Sequence, residues 1–422
     1  MMEKPTSSPQ TCMDDYDPNS MLVEQALQRI SDAINTINAQ QTVPINESLD
    51  RVLAEIVKSN IDVPPYTNSA MDGYAINGDD LPVDGKKKFQ LAGTVMAGSP
   101  LDKIIQRGEC ARIMTGGKMP QGTDTVIMQE HVTTNGNTIT IGSQHRRGQN
   151  VRHSGEDIAV NQAVLEPGKR ITAADIGLMA SLGIAKVAVK KPLTVAFFST
   201  GDELVAIGSA LQEGQIYDSN RYTVAAMLKR FGATILDLGV IKDNKKSIED
   251  AFKQAASQAD VLITTGGVSV GDADYVKETL EKLGNVNFWK IAMKPGRPLA
   301  FGSINNCLFF GLPGNPVSTM VTFYQFVLPA LKKLQGDNSQ PPVTLSLRCT
   351  TPLRKSPGRI EFQRGIMEHD KNGDLIVRSV GGQGSHILSS MSKANCFIIL
   401  PMECGNLEAN SNVTVQPFAG LI

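Results

Sequence analysis

The stretch Ala259-Asp-Val-Leu-Ile-Thr-Thr-Gly-Gly-Val-Ser-Val-Gly-Asp-Ala-Asp-Tyr275 decides the fold of this chain. The β-branched run at 261–265 predicts a buried strand, and the pattern after Tyr275 predicts a helix. Gly266, Gly267 and Gly271 lie between them, where glycine allows a tight turn with exposed backbone amides. Because the N-terminus of a helix attracts negative charge, the turn is predicted to cradle a phosphate.

Two carboxylates, Asp272 and Asp274, follow the glycines in the same turn. Binding of a phosphate alone does not explain carboxylates beside it, because both groups are negatively charged. Oxygen ligands of this kind suit a divalent cation that bridges carboxylate and phosphate. The turn therefore predicts a metal as well as an anion.

Strands and helices alternate on both sides of this stretch. Strands are predicted at 193–199, 234–240 and 261–265 and around residues 300 and 309, and helices at 220–231, 247–258, 274–283 and 316–334. Such alternation favours a mostly parallel sheet with helices on both faces.

The rest of the chain predicts a multidomain protein, α/β plus all-β. We expect a disordered tail at 1–20, a helical domain formed by 21–58 together with 155–190, and an inserted, mainly-β domain at 59–154. A short helix is predicted at 48–56 within the helical domain. The central α/β domain is expected at 191–337. A linker rich in Pro, Asn and Gln leads into a C-terminal β domain at 338–422.

The composition excludes several functional classes. The 41 Lys and Arg residues balance 42 Asp and Glu residues, which gives no electrostatic basis for binding nucleic acid or a membrane surface. No apolar run approaches the roughly 20 residues of a spanning helix, and residues 1–20 lack a signal-peptide pattern. The six cysteines form no Cys-x-x-Cys pair, which is typical of reduced thiols. We therefore expect a soluble, cytoplasmic protein.

Each predicted strand of the sheet is followed by a turn with charged residues or proline, and most of these turns also contain glycine. Ligands of parallel sheets bind at the carboxyl ends of the strands, so these turns are expected to form one site. The hard oxygen ligands available for Mg²⁺ are Asp202, Glu203, Asp243, Asp272 and Asp274, and the cations available for phosphate are Lys290, Lys294 and Arg297. Each acid alone is equally well explained as a helix cap or a solvated turn residue, and only their number favours a site.

Several segments of the chain resemble those of a known protein family. The segments Thr265-Gly-Gly-Val-Ser-Val-Gly-Asp-Ala-Asp-Tyr, Ser199-Thr-Gly-Asp-Glu-Leu, Lys294-Pro-Gly-Arg-Pro and Gly311-Leu-Pro-Gly-Asn-Pro-Val-Ser resemble the molybdopterin-binding domain. The segments Asn68-Ser-Ala-Met-Asp-Gly-Tyr-Ala, Arg112-Ile-Met-Thr-Gly-Gly and Gly155-Glu-Asp-Ile resemble the molybdopterin molybdenumtransferases, the family that includes the gephyrin E domain. The resemblance runs from about residue 21 to residue 422.

The resemblance implies that the protein inserts molybdate into adenylylated molybdopterin, with Mg²⁺-assisted hydrolysis and release of AMP. The catalytic residues it implies are Asp72, Thr115, Asp157, Glu203, Asp243 and Asp274, of which Glu203, Asp243 and Asp274 are also assigned to the metal. The binding residues are Gly266, Gly267, Ser269, Gly271, Asp272, Lys290, Lys294, Arg297, Pro313, Gly314, Asn315 and Pro316. Ser385 and Arg364 are weaker matches in the last domain.

The resemblance also implies partners. The family forms elongated homodimers, which makes the helical domain the expected dimerisation element. Contact is expected with molybdopterin adenylyltransferase and with molybdoenzymes or their chaperones. Two other functions stay open: adenylylation of molybdopterin, or a non-catalytic scaffold that binds molybdopterin. Retention of Glu203, Asp243 and Asp274 and the presence of the extra domains favour insertion.

Overall fold

The computed structural model describes residues 20–266 and 275–419. The chain divides into two compact units. Unit 1 consists of the described parts of Met1–Gln41, Asp50–Val52 and Lys190–Ile422, and unit 2 of Thr42–Leu49 and Leu53–Val189. Apart from Ser20, the expected tail lies outside the described residues. Across these two ranges, no helix combines the length and the apolar character needed to cross a membrane.

The helices and strands are numbered in chain order over the described residues. The helices are α1 (Val23–Asp32), α2 (Ala173–Ser181), α3 (Ser219–Phe231), α4 (Lys245–Gln258), α5 (Tyr275–Leu283), α6 (Pro316–Thr322), α7 (Leu328–Gln335) and α8 (Leu388–Lys393), with a π-helical segment at Phe323–Val327 between α6 and α7. The strands are β1 (Gln40–Pro44), β2 (Val57–Lys58), β3 (Asn68–Ser69), β4 (Gly73–Ile76), β5 (Lys86–Val95), β6 (Glu109–Ile113), β7 (Thr125–Met128), β8 (Val132–Asn135), β9 (Thr138–Gly142), β10 (Val151–Arg152), β11 (Ala163–Leu165), β12 (Lys186–Lys190), β13 (Thr194–Thr200), β14 (Leu204–Val205), β15 (Ile216–Tyr217), β16 (Thr234–Ile241), β17 (Val261–Thr265), β18 (Asn285–Lys290), β19 (Met293–Lys294), β20 (Pro298–Ile304), β21 (Cys307–Leu312), β22 (Leu345–Cys349), β23 (Ile360–His369), β24 (Leu375–Ser379), β25 (Cys396–Leu400) and β26 (Asn412–Pro417).

The central sheet of unit 1 has the strand order β16-β13-β17-β21-β20-β18. The first four strands are parallel, and β20 and β18 complete the sheet in antiparallel fashion. Strand β17 is flanked on both sides, and all five of its residues are buried. The β-branched run at 261–265 is therefore a central strand, and the predicted α/β fold is confirmed.

Helices cover both faces of this sheet because successive strand residues point in opposite directions. On one face α3 buries Val224 and Leu228 in the same core as Val195. On the other face α4 buries Phe252 beside Phe198, with their rings 5.4 Å apart in an edge-to-face arrangement. Packing on both faces holds the strands of the sheet in place, so that the turns after them lie along one edge.

Helix α1 differs from the sequence-based expectation. It was grouped with 155–190, but its buried residues Val23, Ala26 and Ile30 lie in the core of unit 1. The following segment is held there by a hydrogen bond from the Ile37 amide to the Leu334 carbonyl, 2.8 Å long. An amphipathic pattern reveals that a helix has an apolar face but not which surface covers it.

The C-terminal β domain of unit 1 is a closed barrel. Its strands follow the order β23-β24-β22-β26-β25, and β25 pairs again with β23 to close the ring. Strand β19 pairs in parallel with β23, so that Lys294 lies opposite Glu361. This pairing ties the loop between β18 and β20 to the barrel.

Unit 2 contains the expected mainly-β module, a sheet with the order β7-β4-β6-β5-β9-β8. Helix α2 begins at a capping box in which Thr172 and Asp175 bond reciprocally. A helix expected at 48–56 is absent. Instead Leu53 bonds through its backbone amide to the Lys169 carbonyl at 2.8 Å, and Ala54 bonds to Ala188 at 3.0 Å. Pairing with distant backbone thus overrides a weak local helical pattern.

Candidate functional site

The carboxyl ends of the parallel strands meet at one edge of the unit 1 sheet. There β13 is followed by Gly201-Asp202-Glu203, β16 by Lys242-Asp243-Asn244, β17 by Gly266 and β21 by Pro313-Gly314-Asn315. The antiparallel pairing of Lys290 with Pro298 brings the end of β18 and the start of β20 to the same edge. This is the place where open α/β sheets bind ligands.

Three carboxylates at this edge influence one another. The pKa of Asp243 is raised above its ordinary value, first by burial and then by the negative charges of Asp202 and Glu203. Over 20–266 and 275–419, no three His, Cys, Asp or Glu side chains converge tightly enough to hold a metal ion. The predicted ligand Asp274 lies outside the described residues. The edge therefore offers concentrated negative charge, not a closed protein cage for a metal.

Replacing Asp243 by asparagine is expected to stabilise the metal-free protein slightly at neutral pH. An acid whose pKa is raised on folding destabilises the fold above that pKa, and the penalty fades as the pH falls through it. Thermal unfolding in EDTA at pH 7.5 should show a Tm increase of less than about 3 °C, because repulsion near the surface is weak. The increase should vanish near pH 4. Asp102→Asn, at an exposed position, is the control, and a lower Tm for Asp243→Asn would contradict the repulsion.

The glycine turn after β17 begins as the sequence predicts. Gly266 has φ +88°, and a Cβ there would lie 2.8 Å from the Thr200 carbonyl oxygen. Its amide donates to the Leu312 carbonyl at 3.1 Å. Only glycine fits this close approach of three strand ends. The other predicted residues of the turn lie outside the described residues: Gly267, Ser269, Gly271, Asp272 and Asp274.

A basic cavity of about 260 Å³ lies at the same edge, beside the turn Pro313-Gly314-Asn315. Three cationic side chains line it, those of Lys294, Arg297 and Arg359, together with the hydroxyl-bearing side chains of Ser318 and Ser385. Cationic nitrogens form short, strong hydrogen bonds to oxyanions. The cavity is therefore suited to a small oxyanion or a phosphate group.

The cavity includes some of the predicted binding residues and not others. Lys294, Arg297, Pro313, Gly314, Asn315 and Ser385 line it, whereas Lys290 lies at the end of β18 and Pro316 begins α6. Arg359 and Ser318 also line the cavity, and no local sequence pattern marks them as binding residues. Arg359 directly precedes β23, and it reaches the cavity only because β23 pairs with β19, which no local pattern reveals.

Lys294 is held by a buried acid. Its ammonium nitrogen lies 3.5 Å from Oε1 of Glu361, whose side chain is only 6% exposed. The other carboxylate oxygen of Glu361 accepts a 2.9 Å hydrogen bond from the Gln363 amide. A buried carboxylate paired on both oxygens fixes the position of the lysine at the wall of the basic cavity.

Arg364 is a structural residue of the barrel, and it is not among those that line the cavity. Its side chain is buried, and burial lowers its pKa to about 10. The guanidinium donates to Ser390 Oγ at 3.1 Å and to the Gly384 carbonyl at 3.0 Å. It thereby holds the loop that presents Ser385 to the basic cavity. The weak sequence match of Arg364 corresponds to a supporting position.

Unit 2 brings two of its three predicted residues into contact. Oδ1 of Asp72 accepts hydrogen bonds from the backbone amide and the hydroxyl of Thr115, each 2.7 Å long. These bonds, with a smaller contribution from Arg112, lower the pKa of Asp72. Asp157 lies in another loop, where its amide donates to the Val63 carbonyl at 3.0 Å. The two bonds from Thr115 thus orient the Asp72 carboxylate and favour its ionised form.

Comparison with known proteins accounts for both units. Three family models match in sequence: "MoeA N-terminal region (domain I and II)" over residues 21–183, "Probable molybdopterin binding domain" over 196–333, and "MoeA C-terminal region (domain IV)" over 346–418. The molybdopterin biosynthesis moeA protein from Pyrococcus horikoshii OT3 has a similar crystal structure. Its TM-score is 0.83 at 28% identity, over 95% of this chain and all of that one.

Alignments with two named relatives cover nearly the whole sequence. A molybdopterin molybdenumtransferase from Haemophilus influenzae is 46% identical over 95% of this chain and 100% of its own length. Gephyrin from Dictyostelium discoideum is 36% identical over 94% of this chain, which spans 62% of that longer protein. The chain belongs to the molybdopterin molybdenumtransferase family.

Proposed function

We propose that this protein transfers molybdenum from molybdate to adenylylated molybdopterin, releasing AMP and giving the molybdenum cofactor. The observation that carries the proposal is the basic cavity, where Lys294, Arg297 and Arg359 line a space of about 260 Å³ at the acidic edge of the sheet. Molybdate is a small divalent oxyanion, and this combination of charge and size suits it. The names of the molybdenumtransferase relatives support the reaction class.

The side chains of the cavity have different roles in this reaction. Lys294 and Arg297 bind and orient oxyanion oxygens, and the Ser318 and Ser385 hydroxyls are placed to donate further hydrogen bonds. Cleavage of a phosphoanhydride depends on positioning and on neutralising charge at the phosphoryl oxygens. Cations on one side and carboxylates on the other can supply both. The reaction therefore needs no nucleophile from the protein.

Mg²⁺ fits this site as a partner of the substrate. The ion is commonly held by one or two carboxylates together with water and substrate phosphates. Glu203 and Asp243 would hold it together with Asp274, which lies outside the described residues. When bound, Mg²⁺ supplies neutralisation of phosphate charge. Its positive charge would offset the burial and the repulsion from Asp202 and Glu203 that raise the pKa of Asp243.

We assign the remaining predicted residues to a shared site in a homodimer. In this arrangement Asp72, Thr115 and Asp157 of unit 2 serve the sheet edge of the other chain. The preformed bonds between Asp72 and Thr115 support a functional role, because an exposed carboxylate held by two donors is oriented for a ligand. In the cytoplasm, the substrate would come from molybdopterin adenylyltransferase and the product would pass to molybdoenzymes or their chaperones.

Release of AMP by wild type and by two variants tests the function and the shared site. Glu203→Gln and Asp72→Asn are each expected to lose about 100-fold or more in molybdate-dependent AMP release, because each removes a charge that acts on the substrate or its metal. Mixing the two variants under conditions of chain exchange should restore about a quarter of the wild-type activity, since half of the dimers then carry one intact site.

Glu213→Gln, an exposed position in unit 1, is the matched control and should keep full activity. Two active single variants would contradict the assignment of the acids. Two inactive variants that do not recover on mixing, although chain exchange is verified by mass spectrometry, would contradict the shared site and leave a site within one chain.

A further inference from the structure

A second cavity, of about 560 Å³, lies in unit 1 along the C-terminal barrel. It shares one side chain, Lys294, with the basic cavity. The two cavities also meet in the loop where Gly384 lines the larger one and Ser385 the smaller one. Sites for drug-sized ligands have volumes of roughly 300–1,000 Å³. The sequence patterns give this barrel cavity no role.

The lining of the barrel cavity suits a flat heteroaromatic ring. Pro352 and Leu353 contribute apolar surface, and Ser379 and Gln383 contribute polar groups. Arg354 lines the cavity and is exposed, and an arginine guanidinium stacks readily on aromatic faces. Thr351, Glu361 and Gln363 also line the cavity, so polar groups that can bond the edge of a ring lie beside its apolar surface.

The polar wall of the barrel cavity is rigid. The Gln383 side-chain amide donates to the Arg364 carbonyl and to Ser379 Oγ, each at 3.0 Å, and its oxygen accepts from the Arg364 amide at 2.8 Å. The Ser379 amide donates to Thr351 Oγ1 at 2.9 Å. A wall whose side chains are already bonded loses little entropy when a ligand binds.

The position of the cavity points to one part of the substrate. Molybdenum is transferred to the two dithiolene sulfurs of molybdopterin, and the carbons that carry them belong to a ring fused to the pterin. A molybdate ion in the basic cavity therefore requires the pterin ring next to it. The adenosine group is attached at the far end of the phosphate arm and lies farther from the metal.

We propose that the barrel cavity binds the pterin ring of the substrate, with Arg354 stacked on the ring and Lys294 at the junction with the molybdate. This assignment rests on the proposed function. It divides the substrate between two places in unit 1: the ring along the barrel and the phosphate arm along the sheet edge. It also gives Glu361 a role as a positioning residue, because it fixes the lysine that separates the two cavities.

Binding of separate probes to Arg354→Ala tests the proposal. The first probe is 6-hydroxymethylpterin, which has the ring but no phosphate or sulfur and is followed by its own fluorescence. The second is molybdate, measured by calorimetry. We expect Arg354→Ala to weaken pterin binding about 10-fold, in keeping with the loss of a stacked guanidinium, and to change molybdate binding by less than about twofold. The variant should fold normally because the side chain is exposed.

Arg378→Ala is the matched control, because Arg378 lies on the same barrel and pairs with the half-exposed Glu368 outside the cavity. It should leave both affinities unchanged. Unchanged pterin binding in Arg354→Ala overturns the proposal, and so does competition of AMP with the pterin at this position, which would place adenine there. Failure of the proposed function is a separate result: wild type would release no AMP with molybdate, whatever the pterin measurement gives.

Discussion

Replacing Lys294 by methionine is expected to lower kcat/KM for molybdate-dependent AMP release by about 100- to 1,000-fold, the usual effect of removing one preorganised electrostatic contact from a catalytic site. Lys294 lines both the basic cavity and the barrel cavity. Methionine keeps an apolar stem of similar size and removes the ammonium group with its charge and hydrogen-bond donors. The loss therefore reports the ammonium group itself.

The buried acid behind Lys294 adds to the expected effect. Without the ammonium group, Glu361 keeps its bond from Gln363 but loses its ion pair with Lys294, so a less well compensated buried carboxylate faces the oxyanion. Molybdate binding should weaken along with the rate, and Lys294→Arg should restore part of both. Lys229→Met, on the exposed face of α3, is the control for loss of a surface lysine. A change in kcat/KM below about threefold for Lys294→Met would contradict the assignment of the basic cavity.

Replacing Arg364 by alanine is expected to lower the free energy of unfolding of the barrel by about 3–5 kcal/mol, because several buried acceptors lose their donor and a cavity is left. The guanidinium is almost fully buried and donates to Ser390 and to carbonyls of the loop before Ser385. Loss of this support also releases Ser385 from the basic cavity. Urea denaturation followed by fluorescence measures the stability, and molybdate calorimetry measures the cavity.

The control for Arg364 is again Arg378→Ala, which breaks a half-exposed ion pair and should cost less than about 1 kcal/mol. If Arg364→Ala loses activity while the barrel stays stable, the supporting role is contradicted. That result would indicate that Arg364 contacts the substrate directly. Equal destabilisation by both variants would show that burial of the guanidinium contributes nothing specific.

The sheet edge could be predicted from sequence because its signals are local. The apolar run 261–265, followed directly by glycines, predicts a central strand. Parallel strands must end at a common edge of the sheet. Glu203, Asp243 and Gly266 were identified by their position directly after strands. Their presence at one edge follows from topology, with no need for side-chain detail.

The barrel side of the site could not be predicted because its residues are brought in by long-range pairing. Arg359 and Arg364 are five positions apart in the same segment, and the family resemblance indicates the one that is buried, Arg364. Their roles separate only through the pairing of β23 with β19 and the closure of the barrel by β25. Helix α1 shows the same limit, since its apolar face is plain in the sequence and the surface that covers it is not.

The insertion reaction is tested most directly by measuring AMP release and molybdenum transfer by the wild-type protein in one reaction. Adenylylated molybdopterin is supplied with Mg²⁺, with and without molybdate, and AMP and pterin-bound molybdenum are quantified over time. We predict AMP release that depends on molybdate, with one molybdenum atom bound to the pterin for each AMP. Formation of adenylylated molybdopterin from ATP and molybdopterin, without molybdate-dependent AMP release, would contradict the proposed insertion reaction.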